Sequence, residues 1–377
     1  MTGRHLRAGF ASLAVALIAA FWCGRDIFKK PDSKLPAESP AVRSRTSEPD
    51  LDRERAVADS TSRRRVAEEW TDILKFLGSD PPPSKTEIRD HLTATRIAWT
   101  AMDPQALSEA IKHLLETGGD AATGLDFKVG VHGFLTGWPT ARVFLLDVLA
   151  ASDPEMAPVI ARKILDETAS ADEFAIAMRS LTRDGIGRAE DAELLTRFGQ
   201  MLEHSDWQSS RGFAEALDLP RLVGSPAAAL QLATWQGNPR MKVMAMDEFT
   251  AEHPLAMMEV LRNEPALTGA TRANLMARAD PADPRQLDAV DAYLKNPNLT
   301  DSEAAAFLNS FPLRSTTTGF RLYAGTPSPY TYQRIAAGDR AAMERIKTWA
   351  GDSALEKYRA GSQTLQRRIA SWVEQAK

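Results

Sequence analysis

The sequence predicts an all-α protein, built as an irregular array of helix pairs that follows an N-terminal membrane anchor or signal sequence. The main evidence is a repeated signal for the start of a helix. Six times a residue, in five cases Asp, Ser or Asn, stands directly before a proline, and an apolar helical pattern follows. An Asp, Ser or Asn side chain caps the first turn, and proline there leaves no N–H unpaired. No alternating strand pattern and no β-hairpin signal occurs between residues 66 and 312. The six pairs are Asp103-Pro104, Asp153-Pro154, Ser225-Pro226, Asn238-Pro239, His253-Pro254 and Asp283-Pro284.

The N-terminus carries a targeting signal. Arg4 and Arg7 precede an uncharged apolar run over residues 8–23, which is typical of a signal sequence or an uncleaved anchor. Because the bulky Phe21 and Trp22 follow the small residues of a cleavage site, the sequence favours an anchor that stays in the membrane. The single cysteine, Cys23, lies inside this run, so the body can form no internal disulfide.

The orientation of the body rests on two opposed signals. Arg25, Lys29 and Lys30 follow the run and by the positive-inside rule favour a cytoplasmic body. A short N-terminus with two arginines is instead the usual layout of an export signal. We expect an anchor in the cytoplasmic membrane with the body extracytoplasmic, in a bacterial envelope. The alternatives are export after cleavage and a cytoplasmic body.

Residues 24–65 are expected to be a disordered, charged linker. The segment contains Pro31, Pro36, Pro40 and Pro49 and has few apolar residues to bury. Such a coil would hold the body away from the membrane.

Residues 66–312 are predicted to form a helical repeat domain. Three capping boxes pair a Ser or Thr with a Glu three residues later, which satisfies two free N–H groups of a first turn. Between residues 225 and 295 the first helix starts are separated by about the length of one helix and the last two by about the length of two. We therefore expect one more helix start, without a proline, near Thr268. The boxes are Ser84 with Glu87, Ser170 with Glu173, and Thr300 with Glu303.

A helix-pair period of about 30 residues resembles the α-solenoid repeat proteins of the HEAT-like and tetratricopeptide-like classes. The resemblance covers residues 66–312 and is generic, because no window matches the tetratricopeptide residue pattern. Spacing is irregular from residue 103 to 225, so an irregular all-α globule is the alternative. The resemblance implies an extended face suited to binding another protein.

Residues 313–333 interrupt the helical pattern with an aromatic, Gly- and Pro-rich loop, and C-terminal helices are expected over 334–377. Aromatic residues and Arg are favoured at the centre of protein interfaces, so this loop supplies the candidate partner-binding residues. A loop packed onto its own helices is the alternative. The candidates are Phe320, Arg321, Tyr323, Tyr330 and Tyr332.

Motifs for chemistry are missing from the sequence. It contains no Gly-x-Ser-x-Gly, no His-Glu-x-x-His, no Walker loop and no Gly-x-Gly-x-x-Gly, so we predict no catalytic residue, cofactor or metal. Gly130, Gly133 and Gly137 around His132 indicate close packing more than phosphate binding. Five methionines between 241 and 258 fit a core better than a binding surface. The body after residue 65 is acidic, which argues against nucleic acid as a partner.

The sequence therefore predicts a membrane-tethered, extracytoplasmic helical-repeat scaffold or protein-binding module with an unknown protein partner. The alternative is an enzyme with an unrecognised carboxylate site in a helical groove.

Overall fold

Helices account for nearly all regular structure, as the sequence predicted. The computed structural model describes residues 48–117, 119–183, 188–262, 264–314, 319–326 and 331–375, with side chains described from Ser60 onward. The predicted anchor at residues 8–23 lies outside this range. The chain from Arg53 onward forms one compact unit.

The α-helices are short, apart from the first and the last two. They are α1 Glu48–Leu77, α2 Lys85–Thr100, α3 Pro104–Thr117, α4 Ala141–Ser152, α5 Ala157–Glu167, α6 Ala171–Thr182, α7 Asp191–Glu203, α8 Arg211–Ala216, α9 Leu219–Val223, α10 Pro226–Thr234, α11 Pro239–Glu252, α12 Pro254–Leu261, α13 Gly269–Met276, α14 Pro284–Leu294, α15 Asp301–Ser310, α16 Tyr332–Ala350 and α17 Arg359–Gln375.

Proline starts five of these helices, α3, α10, α11, α12 and α14. At Asp153-Pro154 the helix begins later, at Ala157, although Asp153 Oδ1 still accepts the N–H groups of Glu155 and Met156. The missing start is found as expected, with Thr268 capping α13. Local capping chemistry thus fixes most helix starts.

Two elements differ from the sequence prediction. Helix α1 begins at Glu48, so it covers the last part of the linker expected over 24–65. Pro49 sits in its first turn, where a missing N–H costs nothing, and no proline follows until Pro81. The second difference is a short antiparallel hairpin of β1 Lys128–Val129 and β2 Leu135–Gly137 within the domain expected to lack strands.

The three glycines of this hairpin are sites of close packing. A Cβ on Gly130 would lie 2.7 Å from a methyl of Thr136, and one on Gly137 would lie 2.5 Å from the carbonyl of Asp126. A Cβ on Gly133 would lie 2.4 Å from the carbonyl of Leu322. The packing interpretation of the Gly-rich motif is therefore supported. Strands of two and three residues offer too little alternation to be recognised from sequence.

Helices pack against the next helix but one along most of the chain. This holds for α2 with α4, α4 with α6, α6 with α8, α10 with α12, α13 with α15, and α15 with α17. Helices α4 and α6 are buried on almost every side. The methionine segment also belongs to the core: Met246, Met257 and Met258 are fully buried, and Met241 and Met244 pack against it.

Two three-helix blocks, one in each half of the chain, repeat each other in sequence and contacts. Residues 140–183 hold α4 to α6, and residues 270–313 hold most of α13 and all of α14 and α15. Four features of the first block recur at the same spacing in the second, although Pro284 starts its helix directly and Pro154 does not. These pairs are Arg142 and Arg272, Asp153-Pro154 and Asp283-Pro284, Ser170 and Thr300, and Glu173 and Glu303.

Each block is joined by an ion pair between residues 31 positions apart. Arg142 donates from Nε to Glu173 at 2.9 Å, and Arg272 donates from Nε to Glu303 at 3.0 Å. The capping-box prediction is thus half right at these sites. Ser170 and Thr300 cap their helices as expected, but the two glutamates pair with arginines and not with the cap backbone. Only Ser84 and Glu87 form the reciprocal box.

Candidate functional site

The segment 319–326, part of the predicted aromatic loop, lies against the helices and separates the candidate residues. Phe320 is 1% exposed and belongs to the core. Tyr323 is half-buried, and its hydroxyl donates to the carbonyl of Ala175 at 3.0 Å. Arg321 is exposed, Tyr332 is 90% exposed, and Tyr330 lies outside the described residues. The structure therefore gathers no aromatic surface at Phe320 and Tyr323.

Three carboxylates hold this segment by its backbone, and we call them the acid clamp: Glu215, Asp218 and Glu248. Glu248 accepts the N–H groups of Gly319 and Phe320, and Glu215 accepts that of Arg321 at 3.1 Å. Asp218 Oδ2 accepts the N–H groups of two consecutive residues, Tyr323 and Ala324, at 2.9 Å each. Hydrogen bonds from amides to carboxylates are strong, so an irregular segment is fixed without secondary structure.

Arg221 binds the carbonyl groups of the same segment, whereas the acid clamp binds its N–H groups. Its Nη1 donates to the carbonyl of Phe320 at 2.9 Å and its Nη2 to that of Gly325 at 3.2 Å. The same guanidinium forms an ion pair with Glu252 at 2.7 Å. The Nε2 atom of His253 lies 2.6 Å from the carbonyl oxygen of Arg221, which fixes α9 against the start of α12.

The acid clamp has three buried carboxyl groups, and the buried basic group Arg221 contacts the same segment. Burial raises the pKa of Asp218 to about 8, although the N–H groups of Ala324 and Tyr323 oppose this shift. Burial likewise raises the pKa of Glu248. Because Asp218 Oδ1 is buried and makes no hydrogen bond, a proton on this carboxyl group relieves the cost of a buried charge. The segment that these carboxylates bind also covers them. This arrangement fits a structural role, in which the acid clamp fixes the segment on the helices.

An open groove of about 820 Å³ lies where α16 begins and α17 ends. Tyr332 and Ile335 of α16 line one part of it, and Trp372 of α17 lines another. Arg314 and Asp339 form an ion pair at its edge, with Nη1 and Oδ2 3.1 Å apart. We call this the Tyr332 groove.

Cation–π contacts shape the wall of the Tyr332 groove. The guanidinium carbons of Arg314 and Arg368 each lie 5.5 Å from the ring centroid of Trp372. An exposed Tyr, a partly buried Trp and a fixed Arg are the residue types that dominate protein interfaces. Trp372 stands in no local motif, so the sequence did not bring it together with Arg314. Their proximity arises only when α17 packs beside residues 312–314.

A second cavity, of about 570 Å³, is lined by parts of α12 to α15. Its buried carboxylate, Glu303, accepts from Arg272 at 2.7 and 3.0 Å and from the hydroxyl of Tyr293 at 3.0 Å. Burial beside Glu303 raises the pKa of the Tyr293 phenol. Because the charge on Glu303 is compensated by a bidentate arginine, this cavity presents no free pair of carboxylates at Glu303.

Comparison with models of protein families, with curated proteins and with solved structures found no match. Within the described part of the chain, every helix is too short or too polar to pass through a lipid bilayer.

Proposed function

We propose that this chain is a membrane-tethered, extracytoplasmic scaffold of the α-solenoid kind, which binds a protein partner through the Tyr332 groove. The observation that carries the proposal is the groove itself: a Tyr with 90% exposure stands beside a Trp that two arginines hold in place. Large aromatic side chains on a fixed wall lose little conformational entropy on binding, which is why they dominate interface energies.

The packing of helices supports the scaffold part of the proposal. In helical-repeat proteins each unit packs on its neighbours, so helices two apart in the chain lie side by side. The contacts between alternate helices and the two repeated three-helix blocks have this character. The tether rests on the apolar run at residues 8–23 and its preceding arginines.

A photo-reactive amino acid at position 332 of the full chain, introduced in living cells, tests the binding site. We expect a discrete crosslinked product at position 332. The matched control is position 159, because Val159 is also an exposed apolar residue, at 57%, and does not line the groove. No product at position 332, or the same product from both positions, would contradict the proposal.

A separate measurement tests the location. A phosphatase reporter that is active only outside the cytoplasm, fused after Lys377, should be active, and a fusion that lacks residues 1–23 should be inactive. An inactive full-chain fusion would place the body in the cytoplasm, and an active fusion without residues 1–23 would show that this segment is not the export signal. Either result would leave the groove proposal to be judged by its own experiment.

The alternative, an enzyme with a carboxylate site, gains no support from the buried acids. Glu215, Asp218 and Glu248 are occupied by backbone N–H groups, and Glu303 is paired with Arg272.

A further inference from the structure

Three arginines converge on one phenylalanine beside the hairpin. The guanidinium carbons of Arg96, Arg179 and Arg183 lie 5.0, 5.2 and 4.1 Å from the ring centroid of Phe134. Arg96 comes from α2, Arg179 from the end of α6, and Arg183 caps that helix. Like charges this close repel one another, so the arrangement requires compensation. We call these three residues the arginine cluster.

Asp147 is the acid that pairs with the arginine cluster in the described part of the chain, and its oxygens are already saturated. Its side chain is 0% exposed. One oxygen accepts from Arg179 at 2.6 Å and from the N–H of Leu135 at 3.2 Å. The other accepts from Trp138 at 2.9 Å and Arg96 at 3.3 Å. Among the residues that the structure describes, three guanidinium charges therefore face one carboxylate, and each oxygen of Asp147 already accepts two hydrogen bonds.

Several donors of the cluster are buried and make no hydrogen bond. They are Nε and Nη2 of Arg179 and Nε of Arg183. Arg179 is 2% exposed, so its free donors lie away from bulk solvent. Burial, with the neighbouring Arg179, lowers the pKa of Arg183 to about 10. Leaving charged donors unmatched in a buried site is costly, and the cost falls when an anion accepts from them.

The hairpin tip directs two carbonyl groups toward the cluster. His132 has φ 55° and Gly133 has φ 74°, and positive φ is uncommon for a residue with a Cβ. The carbonyl of Gly133 accepts from Arg179 at 2.7 Å, and that of His132 accepts from Arg183 at 3.3 Å. These bonds fix the orientation of the Arg179 and Arg183 guanidinium groups. Nε and Nη2 of Arg179 and Nε of Arg183 remain without an acceptor. His132 is exposed and Arg183 is half-buried, so the cluster borders solvent at this tip.

We propose that the arginine cluster is an oxyanion site, which takes a phosphate or carboxylate group between Arg179 and Arg183 beneath the hairpin tip. Planar guanidinium groups match the paired oxygens of both anions. The ring of Phe134 contacts all three guanidinium groups and holds them together. Asp147 acts as a positioning residue that holds Arg96 and Arg179. The site is independent of the Tyr332 groove and does not rest on the function proposed above.

Thermal unfolding of the purified full chain tests the site with inorganic phosphate and acetate as probes, each compared with chloride at equal ionic strength. We expect a rise in Tm that grows with the logarithm of the probe concentration and reaches about 3 °C at about 100 times the Kd. A rise with phosphate alone assigns a phosphoryl ligand, a rise with acetate alone assigns a carboxylate, and a rise with both shows that the site accepts either oxyanion.

Two variants separate binding from the general stabilisation that phosphate gives to folded proteins. Arg183→Gln should abolish the part of the rise in Tm that comes from binding, and the exposed Arg89→Gln, which also loses one positive charge, should keep it. Broadening of the phosphate ³¹P resonance by the wild-type chain, lost in Arg183→Gln, gives a readout that does not depend on stability. Equal responses from wild type and Arg183→Gln, or no rise in Tm over chloride with either probe in wild type, would overturn the proposal.

Discussion

Arg142 and Arg272 lie in different halves of the chain and make the same contacts. Each donates from Nε and Nη2 to a glutamate 31 residues later, and each donates from Nη1 to a backbone carbonyl, that of Leu115 or of Leu267. The two glutamates are the third residues of their helices, α6 and α15. Arg142 therefore joins three segments of the chain, and Arg272 joins two, because Leu267 lies just before the helix that carries Arg272.

We predict that Arg142→Ala and Arg272→Ala each lower the free energy of unfolding by about 2–4 kcal/mol, because each leaves a buried glutamate unpaired. Glu173 and Glu303 are 8% and 2% exposed in their side chains. Urea unfolding of the variants measures the loss.

The matched control is Arg162, which also binds a glutamate 31 residues later but lies 37% exposed beside a partner that is 32% exposed. Its change to Ala should cost about 0–1 kcal/mol. Equal losses at all three arginines would show that burial of the glutamate is not the cause.

The buried Asp218 predicts an unusual pH dependence. Its pKa is about 8 in the folded chain against an ordinary value of 3.8, so the folded state keeps a proton that the unfolded state releases. Stability from this group is therefore highest below pH 4 and is lost as the pH rises from about 4 to 8.

Asp218→Asn removes this titration while its amide oxygen can still accept from Tyr323 and Ala324. The stability of Asp218→Asn relative to wild type should rise from pH 4 to 8, by at most about 1.4 kcal/mol per pH unit, and then level off. The exposed Asp90→Asn serves as control, and we expect no comparable slope from it. A pH-independent difference for Asp218→Asn would refute the assignment.

The acid clamp predicts slow hydrogen exchange in a segment without regular structure. The amides of Phe320 and Tyr323 should exchange slowly, because they are bonded to Glu248 and Asp218. Glu248→Gln should speed exchange at Phe320 about tenfold or more, which corresponds to a loss of about 1.4 kcal/mol. Glu252→Gln leaves these amides their acceptors and should change the exchange rate much less.

Truncation of Phe320 should affect stability, and truncation of Tyr332 should affect binding. Phe320→Ala should lower the free energy of unfolding by about 3–5 kcal/mol, because a fully buried aromatic ring is lost from the core. Tyr332→Ala should leave stability within about 0.5 kcal/mol and reduce capture of the partner by the full chain. Equal effects on stability would contradict the separation of the two residues described above.

Local signals in the sequence predicted what local chemistry decides. Helix starts at Pro226, Pro239 and Thr268 follow from capping groups within a few residues, and all three are found. The hairpin was missed, because its strands are too short to show alternation and its glycines matter only through contacts with distant segments such as Leu322.

The sites were largely beyond the reach of sequence reasoning. Glu248 meets Phe320 across 72 positions and Arg179 meets Gly133 across 46, and no local pattern encodes such pairs. The repeated spacing of Arg and Glu was present in the sequence. It becomes a recognisable signal only once the packing of alternate helices is known.

The acid clamp has a consequence for how this chain can diverge over evolutionary time. Amide hydrogens are common to every residue except proline, so Glu215, Asp218 and Glu248 hold their segment largely regardless of its side chains. Position 321, whose side chain is exposed to solvent, can therefore accept nearly any amino acid while the backbone stays in place. Proline is the substitution that selection should remove there.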